Sequence, residues 1–186
     1  KEISFRAYLQ TRGSEVTTSN LETFYCTAIT QKIDGSIGAD KFFDDVPFTR
    51  LGDYFYSSPT YYWPQDGRAI IFQGYAPSAE EMGTDIRWDI PYDSENGTFT
   101  LDFMMTGFKP AADIADQVDF VYGGAASDGT ASQQDIEIPL AHQLSQISIR
   151  ALENNSNYVY KIAGIKIGSV VGEADFNFVV GRWTEG

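Results

Sequence analysis

One cysteine and one histidine occur in 186 residues. The lone Cys26 excludes an internal disulfide framework, and a single histidine far from it leaves no ligand set for zinc. Any Ser–His pair would have to use His142, and no G-x-S-x-G elbow accompanies it. Cationic side chains are scarce as well: Lys+Arg 13 stand against Asp+Glu 26, a formal net charge of -13. Such a field repels phosphate backbones, which excludes nucleic acid as a partner. No apolar run approaches the roughly 18 residues of a membrane-spanning helix, and Lys1-Glu2-Ile3-Ser4-Phe5 reads as a mature or trimmed start rather than as a signal peptide. A calcium loop of the D-x-[DN]-x-[DN]-G type is missing, although residues 34–40 are loosely acidic. No cofactor and no metal is expected.

What the chain does have is alternation. The segment 135–151 places Ile136, Ile138, Leu140 and Leu144 in one phase, then Ile147, Ile149 and Ala151 in the other. A strand with one buried face alternates in this way, and one inserted residue flips the faces, as a β-bulge does. A helical stripe through Leu140, Leu144, Ile147 and Ala151 competes. It leaves out Ile136 and Ile138, and Pro139, Ile147 and Ile149 favour extended chain. The reading is a long central strand with a β-sandwich built around it.

Other strands follow from the same rule. Ile3, Phe5, Ala7 and Leu9 alternate with polar neighbours, and so do Phe24, Cys26 and Ala28. Residues 41–48 carry Phe42, Phe43, Val46 and Phe48, with Pro47 suggesting an edge. An aromatic tract, residues 54–64, leads through the turn Asp66-Gly67 into a strand over 68–77. Ser78 with Glu81 reads as a capped helical turn. Asn96-Gly97 is a turn before Phe99, Leu101, Phe103 and Met105. Residues 110–116 suggest a short helix. Val118, Phe120 and Tyr122 form a strand ending at Gly123-Gly124, and 125–134 is a polar loop. Residues 158–162 and 164–168 read as strands, as do Phe176, Phe178 and Val180. The expectation is an all-β fold, an antiparallel sandwich of about seven to ten strands with very little helix. No repeat, linker or low-complexity block is visible.

Candidate chemistry is thin. Cys26 shares a strand face with Phe24 and Ala28 and reads as a buried, inert thiol. His142 reads as structural. Glycoside hydrolysis needs two carboxylates, and Asp44-Asp45, Glu80-Glu81 and Asp85 with Asp89 are available, yet they read as solvated loop charges. Asn96-Gly97-Thr98 and Asn154-Asn155-Ser156 match the glycosylation pattern and also read as turns. Tyr61, Tyr62 and Trp63 offer rings that could stack on sugars, as in a carbohydrate-binding module; core packing is the favoured alternative.

Three segments, taken in order, resemble the fimbrillin-like (Mfa-like) proteins, subunits of type V pili. They are Tyr61-Tyr62-Trp63-Pro64 running through Gly67 to Gly74-Tyr75-Ala76-Pro77; residues 116–122; and Leu140-Ala141-His142-Gln143-Leu144 with residues 158–167. Ile3-Ser4-Phe5 with Thr11-Arg12 fits the opening of that family. The resemblance spans about residues 3–180. It implies a transthyretin-like β-sandwich, export as a lipoprotein, display on the outer membrane of a Gram-negative cell, and no enzymatic activity. It also implies polymerisation with other fimbrial subunits by donor-strand exchange, with a surface glycan or protein as a further partner. In that scheme a protease that cuts after arginine frees a first strand, and another subunit's strand takes its place. The matching positions make Arg12 the candidate cleavage site and Ile3, Phe5, Ala7 and Leu9 the candidate displaced strand. A permanent edge strand and an ordinary surface arginine are the alternative. The family's lipobox cysteine does not occur here, so any membrane attachment is expected through a lipid anchor on a precursor. Residues 1–186 are expected to form one fimbrillin-like domain, the N-terminal domain of a longer precursor.

Overall fold

The computed structural model describes residues 1–10, 18–31, 39–128, 136–145, 147–152, 157, 159 and 161–184. Among these, strands dominate: β1 (Phe5–Gln10), β2 (Thr23–Gln31), β3 (Ala39–Leu51), β4 (Tyr54–Ser57), β5 (Ile70–Ala76), β6 (Asp85–Asp89), β7 (Tyr92–Asp93), β8 (Thr98–Phe99), β9 (Asp102–Phe108), β10 (Val121–Ser127), β11 (Ile136–His142), β12 (Ala174–Asn177) and β13 (Arg182–Thr184). The described helix is one 3-10 turn, Ile114–Asp116, capped by the Asp113 carboxylate. The all-β expectation with very little helix holds, and the capped turn at Ser78 forms as read. There Ser78 N–H donates to Glu81 Oε2 at 3.0 Å and Glu81 N–H donates back to Ser78 Oγ at 3.2 Å.

Seven strands close a barrel in the order β1-β11-β10-β5-β2-β3-β4, and β13-β12-β9-β6 form a second sheet. Pairing is antiparallel except between β1 and β11, which run parallel from Phe5 opposite Ile136 to Gln10 opposite Ala141. Two cores result. Ile3, Phe5, Phe24, Phe48, Phe55, Phe72, Val121, Ile138 and Leu140 fill the barrel. Ile29 and Tyr75 on its outer face pack against Trp88, Phe103, Met105, Phe176 and Phe178 of the second sheet, which gives the sandwich its second layer. Pro47 lies within a closed barrel rather than on an edge strand. Its missing N–H is harmless, because β4 reaches only as far as Phe48 opposite Ser57.

The long central strand is shorter than its alternation suggests. β11 stops at His142, and residues 143–145 and 147–152 leave the sheet, with Ile147 and Ile149 63% and 52% exposed. The reason is pairing: β1 ends opposite Ala141, and β10 reaches only His142. Gln143 N–H still donates to the Phe120 carbonyl at 2.8 Å, and past it no described strand offers backbone groups to extend the ladder. The strands read at 158–162 and 164–168 do not form among the described residues; Tyr158 and Tyr160 lie outside them, and Ile165 and Ile167 are exposed. β10 begins later than read and runs through Gly123 and Gly124 to Ser127, taking residues assigned to a loop. Gln146 and residues 129–135 lie outside the described residues, as do Asp34 and Asn154-Asn155-Ser156.

Candidate functional site

The feature with the most distinctive geometry is the seam that holds β1. Ile3, Phe5, Ala7 and Leu9 all point into the barrel and are buried, Ile3 and Phe5 completely. The Phe5 ring meets Phe48 edge-on at 4.7 Å, Phe72 at 5.1 Å and Phe24 at 5.7 Å. Burying each of Ile3, Phe5 and Leu9 contributes roughly 1.5–3 kcal/mol. Outward, Arg6 donates from Nη2 to the Tyr54 hydroxyl at 2.6 Å, and its guanidinium sits 4.8 Å from that ring's centre.

The two sides of β1 are unequal. Towards β11 it has a parallel ladder along its whole length. Towards β4 the register is a single pair, Phe5 opposite Phe55. Upstream, Ile3 N–H donates to the Tyr61 carbonyl at 2.8 Å and Trp63 N–H to the Lys1 carbonyl at 3.0 Å. The strand thus fills a groove whose floor is aromatic and whose strong wall is β11. That wall is fixed by a close approach at Gly123, where a Cβ would lie 2.1 Å from the Pro139 carbonyl oxygen. Nothing in the local pattern identified this role, although a glycine inside a strand is a signal for close backbone contact. Arg12 lies outside the described residues.

The other candidates separate. Trp63 is buried against Phe72 at 5.9 Å, Tyr61 packs on Phe43 at 4.8 Å, and only Tyr62 is exposed, at 64%. The three rings therefore share no stacking surface. Cys26 is buried, and desolvation pushes its thiol well above the ordinary range, against a weaker pull from the Gln73 backbone. His142 Nδ1 lies 2.8 Å from an Asp119 carboxylate oxygen, both side chains largely buried. The approach sets the end of β11 beside the residue before Phe120, while the backbone bond from Gln143 N–H to the Phe120 carbonyl at 2.8 Å joins the two segments. Asp44 and Asp45 are not free loop charges. They sit on β3 and accept from Trp88 Nε1 and the Tyr75 hydroxyl respectively, on the boundary between barrel and second sheet. Glu81 serves the turn at Ser78, and Asp89 accepts from Ile90 N–H. Asn96 donates its amide to Asp93 within the turn between β7 and β8. No group of three or more metal-ligating side chains occurs among the described residues.

In comparison with known proteins, a crystal structure of a fimbrial protein from Bacteroides vulgatus ATCC 8482 shares this fold at TM-score 0.60 and 17% identity. The match covers 99% of this chain and 60% of that one, so the chain spans about 60% of its length. No curated protein matches the sequence. The family model described as fimbrillin-like matches residues 11–186, and the chain belongs to that family of structural, non-enzymatic proteins.

Proposed function

We propose that this protein is a bacterial cell-surface fimbrial subunit that polymerises by strand exchange at the β1 groove. The observation that carries the reading is the inequality of the seam: core-filling side chains on a strand with a full ladder on one side and a sparse one on the other. Once the covalent link beyond Gln10 is cut, β1 is held by non-covalent contacts alone. A strand from another subunit with the same alternation then competes for the same backbone groups. Arg12 is the proposed cut, by a protease that cleaves after arginine. Attachment to the outer membrane of a Gram-negative cell through a lipid anchor on a precursor, and contact with a surface glycan or protein, belong to the same proposal.

Limited digestion with a trypsin-like protease, followed by mass spectrometry and light scattering, tests it. The expected result is a cut at Arg12, a barrel that stays folded, and oligomers that grow after the cut. A chain that resists cleavage there, or is cut and remains monomeric at high concentration, would remove the reading.

A further inference from the structure

The exposed segment after β11 carries a copy of the β1 sequence. Ile3-Ser4-Phe5-Arg6-Ala7-Tyr8 aligns with Ile147-Ser148-Ile149-Arg150-Ala151-Leu152, identical at Ile, Ser, Arg and Ala and apolar at the other two positions. In the first copy Ile3, just before β1, and Phe5 and Ala7 within it enter the barrel core, and Arg6 and Tyr8 face outward. In 147–152 the same alternating pattern belongs to no strand, and Ile147 and Ile149 are more than half exposed. We propose that residues 147–152 are a donor strand that fills the β1 groove of a second copy of this chain. This rests on the strand-exchange reading above and names the donor.

The side-chain match extends to charge. With Ile147 in the place of Ile3 and Ile149 in that of Phe5, Ala151 takes the buried position of Ala7. Arg150 then replaces Arg6 opposite Glu137, an exposed residue of β11, with Tyr54 on the other side. A cationic donor residue between a carboxylate and an aromatic face is complementary in charge, on a chain whose formal net charge is -13.

Geometry requires that the groove belong to another molecule. β1 runs parallel to β11, with Phe5 opposite Ile136 and Ala141 opposite Gln10. A parallel insertion of the chain's own segment would put Ile147 eight residues back from His142, roughly 26 Å at about 3.3 Å per residue. The five Cα steps from His142 to Ile147 span at most about 18 Å. Neighbouring parallel strands need a crossover of a dozen or more residues, and this connection is far shorter. In trans the constraint disappears.

The differences between the two segments set the order of events. Ile149 lacks the ring that Phe5 packs among Phe24, Phe48 and Phe72. Glu153 stands where β1 has Leu9, which is buried. β1 is therefore the better occupant, and the donor enters only after β1 is released.

The test uses the full chain with a specific protease site placed within residues 11–17, cut, and offered labelled synthetic peptides of residues 1–10 and 145–153. Both peptides are expected to bind the cut chain and to compete with each other, the second more weakly. Neither binds the uncut chain. The peptide carrying I149D binds at least about tenfold more weakly, because a carboxylate would enter an aromatic pocket. Cut protein forms oligomers that increase with concentration, whereas cut Ile149→Asp, altered at an exposed position, stays monomeric. Binding of 1–10 without 145–153, or undiminished oligomers from I149D, overturns the donor assignment and leaves the groove reading standing. Binding of neither peptide overturns both.

Discussion

The indole N–H of Trp88, on the second sheet, is donated to the carboxylate of Asp44, on the barrel. Lys41 lies 4.2 Å from the centre of the same indole, and Thr27 also donates to Asp44, at 3.3 Å. One carboxylate thus links β2, β3 and β6 at the rim of the second core. Asp44→Ala is expected to lower stability by about 1–3 kcal/mol, because it strips the buried Trp88 indole N–H of its acceptor, and Trp88→Phe to lose the hydrogen bond while Asp44 keeps Thr27 and Lys41 as donors. In a double-mutant cycle by urea denaturation the two losses should fall short of additive by at least about 0.5 kcal/mol. Full additivity would mean the bond carries no energy.

Phe5 is the centre of an edge-to-face cluster with Phe24, Phe48 and Phe72. Phe5→Ala is expected to cost about 3–5 kcal/mol, from lost transfer energy and the cavity left behind. The urea midpoint should drop while the slope stays constant. A loss below about 1 kcal/mol would show that β1 contributes little to the barrel.

Gly123 and Gly74 differ in what surrounds them. A Cβ on Gly123 would meet the Pro139 carbonyl oxygen at 2.1 Å, which is backbone, whereas on Gly74 it would meet Ile138 and Phe24 side chains at 3.3 Å. Gly123→Ala must part β10 from β11 and is expected to cost at least about 1–3 kcal/mol, more than Gly74→Ala. Thermal unfolding of the two variants gives the ranking directly; the reverse order would mean β11 is less tightly held than its register indicates.

Burial raises the Cys26 thiol well above its usual value and pushes the Tyr122 hydroxyl up to about 12. Tyr75 moves in the same direction, through burial first and then its bond to Asp45. These groups are neutral when protonated, so the native state holds their protons more tightly than the unfolded chain does. The stability they contribute is complete below their unfolded values, about 8.5 for cysteine and about 10 for tyrosine. It is lost as pH rises through the folded values. Urea midpoints should fall above about pH 8.5 and more steeply above about pH 10. Cys26→Ala should flatten the first part of the fall and Tyr122→Phe part of the second. A wild-type midpoint constant to pH 11 would contradict the burial of all three.

The seam at β1 was half visible in the chain itself. The alternation of Ile3, Phe5, Ala7 and Leu9 is local and marks a one-sided strand before any partner is known. Its parallel pairing with β11, more than a hundred residues away, has no local signature. Ile147 and Ile149 alternate just as well, yet form no strand, because alternation states which face wants burial and not whether a neighbour exists to bond the backbone. The echo of β1 in 147–152 carries no signal of its own for a related reason. Six residues are too few to register as a repeat, and only the exposure of one copy beside the burial of the other gives it meaning.

Side-chain periodicity, turn chemistry and the shortage of nucleophiles and ligands determined, from sequence, an all-β chain with a capped turn at Ser78 and a buried Cys26. Those properties are set within a few residues, by local conformational preference and by which face of a strand is apolar. The tertiary structure alone decided that seven strands close on themselves, that Asp44 and Asp45 join two layers, and that the strand at 136 ends at His142. Each of these depends on which distant backbone comes within hydrogen-bonding distance, and packing of the whole chain settles that choice.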